Sequence, residues 1–137
     1  KPLKVWVCVT RSSNWRRVKK GNVFGLSQRA ANLVSLVKRG DTVLIYVLKP
    51  VYSIVDIYRV KSVIKGTKGL WDEWVYPFGI ELESAVDFKK GIKPISLGSL
   101  IGVSKKNVDV SPFLKGVSMF EVPNTVLEKL EYKKSQF

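Results

Sequence analysis

The sequence predicts an α+β domain: an antiparallel or mixed curved sheet, or small β-barrel of mostly antiparallel strands, with helices packed outside it. Two observations carry this. Apolar runs of strand length recur along the chain, and they lie too close together for βαβ crossovers. Apart from one helical turn, helical patterns with apolar residues three or four apart fall in the first forty residues and at the C-terminal end. At 137 residues the chain is expected to be one domain, residues 1–137, with enough material for a real core.

Leu3 to Thr10 reads as a buried strand, with Val5, Trp6, Val7, Cys8 and Val9 in succession. Ser12, Ser13 or Asn14 offers a side-chain cap for a short helix through Lys20, which Gly21-Asn22 stops. Val23-Phe24-Gly25-Leu26 is an apolar island. Ser27 is expected to cap a second helix with Ala30, Leu33, Val34 and Val37 on one face, ending at the Lys38-Arg39-Gly40-Asp41 turn. Thr42 to Leu48 is a strand, Lys49-Pro50 a break, and Tyr52 to Ile64 a long strand. Lys65 to Trp74 is a glycine-containing loop, and Tyr76 to Phe88 a strand with Gly79 as a candidate bulge. A helical turn is expected within Pro94 to Leu100, and loop from Lys105 to Lys115. Met119 to Val122 is a short strand. Pro123-Asn124 opens a final helix with Val126, Leu127 and Leu130 facing inward.

Charge is the strongest functional signal. The first forty residues hold ten Lys or Arg and no acid; the first acid is Asp41. The chain has 24 basic and 11 acidic residues, a formal charge of +13, so the N-terminal third supplies most of the excess. So one-signed a segment repels itself unless something negative lies against it, and a nucleic-acid backbone is the commonest such partner. Arg11, Arg16, Arg17, Lys19, Lys20 and Arg29 are the candidate phosphate contacts, though those of the first helix fall on more than one side of it.

Other chemistries are poorly served. The chain has no histidine, which removes Ser-His-Asp and Cys-His nucleophile systems and imidazole metal sites. It has one cysteine, Cys8, so it has neither an intrachain disulfide nor a cysteine zinc site; Cys8 reads as a small buried hydrophobe. Lys65-Gly66-Thr67-Lys68-Gly69 lacks the spacing of a phosphate-binding loop. Asp72-Glu73 and Glu81/Glu83 read as solvated surface acids, so no catalytic residue, metal or cofactor is expected. No apolar run approaches membrane-spanning length and no signal-peptide pattern is seen, so no membrane partner and a cytoplasmic location are expected. The chain does not open on Met, which raises the expectation of a trimmed piece of a longer protein.

Two aromatic features stand beside the charge. Phe24 sits in the apolar island between two basic helices, and Trp71 and Trp74 sit in one turn-rich loop. Large aromatics commonly plug the end of a small barrel. The sharper alternative is a stacking platform for an unpaired base, worth ~1–3 kcal/mol per base.

The order Val7-Cys8-Val9-Thr10, Asn14-Trp15, Asn22-Val23-Phe24-Gly25-Leu26 resembles the opening of the EVE domain family. Lys38-Arg39-Gly40-Asp41 followed by Val43-Leu44-Ile45-Tyr46-Val47, and Ser118-Met119-Phe120-Glu121-Val122-Pro123, resemble that family's later segments. The resemblance implies a PUA-like fold related to YTH domains, in which an aromatic cage accepts a flipped or unpaired base, often a methylated one. It implies a base pocket of Phe24, Trp71 and Trp74, with Asn14 and the backbone of Gly25 and Leu26 at the base edge. Phe24 stands where the family usually has Trp.

The resemblance further implies a non-catalytic module that binds DNA or RNA. One expected setting is the recognition domain of an McrB-type, modification-dependent restriction subunit, tethered to its AAA+ motor. A stand-alone RNA-binding protein is the alternative, and a protein-interaction module using the aromatic loop a second. The isolated domain is expected to be a monomer.

Overall fold

The computed structural model describes residues 3–49, 51–85 and 119–128. The strands are β1 (Val5–Thr10), β2 (Val23–Leu26), β3 (Thr42–Val47), β4 (Ser53–Lys65), β5 (Phe78–Ser84) and β6 (Met119–Val122). Helix α1 spans Ser12–Gly21; a 3-10 turn at Gln28–Ala30 leads into a single-turn helix, α2, at Ala31–Val34. The strands form one six-stranded mixed sheet, ordered β2-β5-β4-β3-β1-β6. The α+β class therefore holds, with the sheet open among the described residues and β2 and β6 at its edges. The helical turn expected near Pro94, the loop at 105–115, the end of the strand at Phe88 and the inward Leu130 lie outside the described residues.

β1 and β3 run parallel, in register from Val5 opposite Thr42 to Thr10 opposite Val47. This corrects the expectation that no crossover exists: α1, β2 and α2 together form the connection between them. The other pairings are antiparallel. β1 and β3 are buried at every position because both faces of the central sheet are covered. On one face Trp6, Cys8, Val43, Ile45 and Val60 meet Trp15, Val18, Ala30 and Leu33 from the helices. On the other, Val5, Val7, Val9, Leu44 and Ile54 meet Val126 of the helical residues 125–128.

Three local expectations change. The apolar island is a strand, with Phe24 paired to Ile80 and Gly25 to Gly79 of β5. None of the Ser12–Asn14 side chains caps α1: its N-cap is Arg11 without a side-chain bond, and Ser12 Oγ donates instead to the Lys49 carbonyl at 3.2 Å. The second helix is short. Its apolar residues still face the core, but the backbone tightens to three-residue bonds at both ends, Ala30 N to Ser27 O and Leu36 N to Leu33 O. Asn32, Val34 and Ser35 are weak helix formers, and Ser35 Oγ bonds back to the Asn32 carbonyl. The stop at Gly21-Asn22 is as expected: Asn22 is left-handed, φ 54°, and its N–H closes on Val18 O.

The first acid of the sequence is a buried organiser. Asp41 is 1% exposed, and its carboxylate accepts the backbone N–H of Lys4 (2.9 Å), the indole N–H of Trp6 (3.0 Å) and the backbone N–H of Lys38 (2.9 Å). It ties the starts of β1 and β3 together.

Candidate nucleic-acid interface

The long β4–β5 hairpin reaches past β3, so its connecting loop, residues 66–77, falls beside β2 and α1. Gly66, Lys68 and Gly69 all take positive φ, which curls the loop back on itself. Thr67 is fully buried, and its hydroxyl donates to the Trp71 carbonyl (3.1 Å) and accepts the Trp71 N–H (3.3 Å). Glu73 Oε1 accepts the backbone N–H of Thr67 (3.1 Å) and of Gly69 (3.2 Å). These two donors hold the Glu73 carboxyl below its usual titration range. Asp72 Oδ1 accepts the Trp74 N–H at 3.0 Å, and the Asp72 carbonyl accepts the N–H groups of Val75 and Tyr76. On the β5 side, Glu81 takes Lys68 as an ion pair and the Ser62 hydroxyl as a donor, which lower its pKa in that order.

This bracing sends the two loop tryptophans in opposite directions. Trp71 is 4% exposed and Trp74 is 94% exposed. The Trp71 ring meets Phe24 edge-to-face at 5.7 Å and Tyr76 at 4.9 Å. Its indole N–H donates to Val23 O at 2.9 Å. That carbonyl is available because Leu82 N bonds Asn22 O, which fixes the ladder alternation and turns the polar backbone of Val23 and Gly25 toward the open edge of β2. Trp71 thus closes an edge strand as well as filling the core.

The expected pocket residues separate accordingly. Phe24, Trp71, Gly25 and Leu26 come together, all buried. Trp74 stands outside them, with no ring contact among the described residues. Asn14, on α1, donates through Nδ2 to the Tyr76 hydroxyl at 3.2 Å and so ties α1 to the loop. Tyr76 was not singled out from sequence. As a third aromatic following Trp71 and Trp74 in the same loop, it carried a signal that could have marked it.

The expected phosphate contacts Arg11, Arg16, Arg17, Lys19, Lys20 and Arg29 are all exposed. None of them pairs with a carboxylate among the described residues. Helical phase divides those on α1. Asn14 and Gly21 lie on one flank, against Tyr76 and Leu70, and Arg17 sits just outside that flank. Lys19 belongs to the opposite flank, over the Trp15 ring at 5.4 Å, where Trp15 packs on Tyr58. Arg16 and Lys20, four residues apart, point away from the core. No group of three acidic, Cys or His residues able to hold a metal occurs among the described residues. No described helix is long and apolar enough to cross a membrane.

Comparison with known proteins places this geometry in a family. The EVE domain family model matches residues 4–130. The UPF0310 protein PH1033 of Pyrococcus horikoshii is 31% identical over 113 residues, covering 69% of this chain and 68% of that protein. Among solved structures, ASCH from Zymomonas mobilis superposes with a TM-score of 0.63 at 15% identity, covering 94% of each chain. The YTH domain-containing protein mmi1, solved in complex with RNA, superposes with a TM-score of 0.63 at 10% identity, covering 96% of this chain and 80% of that one. These two likenesses are likenesses of fold.

Proposed function

This chain belongs to the EVE domain family, and from that premise we propose that it is a non-catalytic nucleic-acid-binding module. The observation that carries the reading is Trp74: an indole 94% exposed, on a loop braced by the bonds of Thr67, Asp72 and Glu73, beside a helix whose cations lack carboxylate partners among the described residues. The cations hold phosphates without reading sequence. Trp74 stacks a flipped or unpaired base, and Asn14 with Tyr76 borders that base on the α1 side. Arg17 is the cation on the flank nearest the base. The RNA bound by the YTH structure of like fold supports nucleic acid as the ligand class. Joined to an McrB-type motor, such a module would deliver a modified or unpaired base to that machine; free-standing, it would serve RNA.

A panel of single- and double-stranded DNA and RNA, intact, methylated or abasic at one position and measured at two salt concentrations, tests the reading. Trp74→Ala is expected to reduce the preference for an intact over an abasic strand about 5- to 150-fold, the equivalent of one stack worth ~1–3 kcal/mol. Equal loss on both strands, or none, would remove the stacking role. A second reading, a protein-interaction surface, draws on Val75, exposed beside Trp74. It predicts no quenching of Trp74 fluorescence by any oligonucleotide.

A further inference from the structure

We propose that Glu73 is a positioning residue for Trp74, an inference that rests on the stacking role just given. The backbone from Gly66 to Gly69 forms a concave rim with N–H groups of Thr67 and Gly69 directed inward, the kind of seat that binds an anion. In this protein the anion is supplied by the chain itself. One oxygen of Glu73 takes both donors, and the carboxylate lies so close to Gly66 that a Cβ there would stand 3.2 Å from Oε1. Glu73 adjoins Trp74, and the next link, Trp74 N to Asp72 Oδ1, fixes the backbone from the other side. With both links made, the indole stands clear of the aromatic cluster of Phe24, Trp71 and Tyr76, with both faces open. Without the seat, the loop loses the contact that ties residue 73 to residues 67 and 69, and an apolar ring of this size gains by folding down onto the protein.

An acid so near a phosphate-binding surface opposes binding through its charge, so its presence calls for a compensating role. The seat supplies one. The role is geometric, because the requirement is an oxygen acceptor at the right reach. This separates two conservative substitutions. Glu73→Gln loses the charge and keeps the reach; Glu73→Asp keeps the charge and loses the reach.

The experiment measures binding of the full chain to a single-stranded oligonucleotide, intact or abasic at one position, for wild type, Glu73→Gln, Glu73→Asp, Glu73→Ala and Trp74→Ala. The ratio of intact to abasic affinity cancels the general effect of charge. Circular dichroism melting controls for global folding. Glu73→Gln is expected to keep most of the ratio, while Glu73→Asp and Glu73→Ala lose most of it and still melt cooperatively above the assay temperature. A ratio preserved in Glu73→Asp and Glu73→Ala, or lost equally in Glu73→Gln, overturns the positioning role while leaving the stacking reading intact. A ratio preserved in Trp74→Ala overturns the stacking reading and the positioning role with it. Should Glu73→Ala fail to fold, the Asp and Gln pair decides alone.

Discussion

The six-membered ring of Trp71 occupies the space that a side chain at Gly25 would need: a Cβ there would stand 2.6 Å from Trp71 Cε3 and 2.7 Å from Cδ2. The contact joins the edge strand β2 to the β4–β5 loop. It explains why this position of the apolar island carries no side chain, and why the loop's first tryptophan is buried.

Gly25→Ala is therefore expected to destabilise the fold by about 1–3 kcal/mol, the usual cost of inserting a methyl group into a packed site. Lowering of the urea midpoint with an unchanged slope would confirm it. An unshifted midpoint would mean that the Trp71 ring moves aside freely.

Asp41 should be among the least replaceable acids in the chain. Asp41→Ala leaves three buried or half-buried N–H groups without their acceptor, those of Lys4, Trp6 and Lys38. The expected loss is about 3 kcal/mol or more, since each unsatisfied buried donor costs ~1–3 kcal/mol. Denaturant unfolding measures this. A loss under ~1 kcal/mol would show that water replaces the carboxylate.

The cations of α1 should act additively and without regard to sequence. Arg16→Gln with Lys20→Gln is expected to flatten the slope of log affinity against log salt by about 1.8 on duplex, or about 1.4 on single strands. The double variant should weaken intact and abasic strands alike. A slope unchanged from wild type would place the phosphates on another surface.

Acid should loosen the Thr67–Glu73 seat and the Lys68–Glu81 pair. Glu73 and Glu81 both titrate below their ordinary value, Glu73 through the N–H groups of Thr67 and Gly69, Glu81 chiefly through Lys68 and then Ser62. A carboxyl depressed in the folded state contributes stability above its unfolded pKa, about 4.3, and loses it as pH falls through the lower folded value. Side-chain titration by NMR is expected to place both groups below the ordinary glutamate value. Lys68→Met should raise the Glu81 value toward it. An unmoved Glu81 titration would show that the ion pair does not persist in solution.

The sequence by itself determined the local grammar of this protein. Continuous apolar residues at Val5–Val9 and Val43–Val47 marked strands, and the structure buries every position of both because no alternation leaves a face for water. Gly21-Asn22 marked a helix end, because a left-handed residue closes the last turn. The acid-free stretch marked a surface of one sign. Order and spacing of short motifs were enough to indicate the family. Tertiary structure alone decided what these pieces meet. The parallel pairing of β1 with β3 depends on a connection whose middle, β2, becomes a strand only when β5 is beside it. Trp71 and Trp74 are the same residue type three positions apart, and residue type alone does not distinguish them. One is buried because Gly25 leaves room for its ring and Val23 offers a carbonyl; the other is exposed because Asp72 and Glu73 bond the backbone around it. Trp71 is buried by contacts made across the fold, with residues almost fifty positions away in the chain.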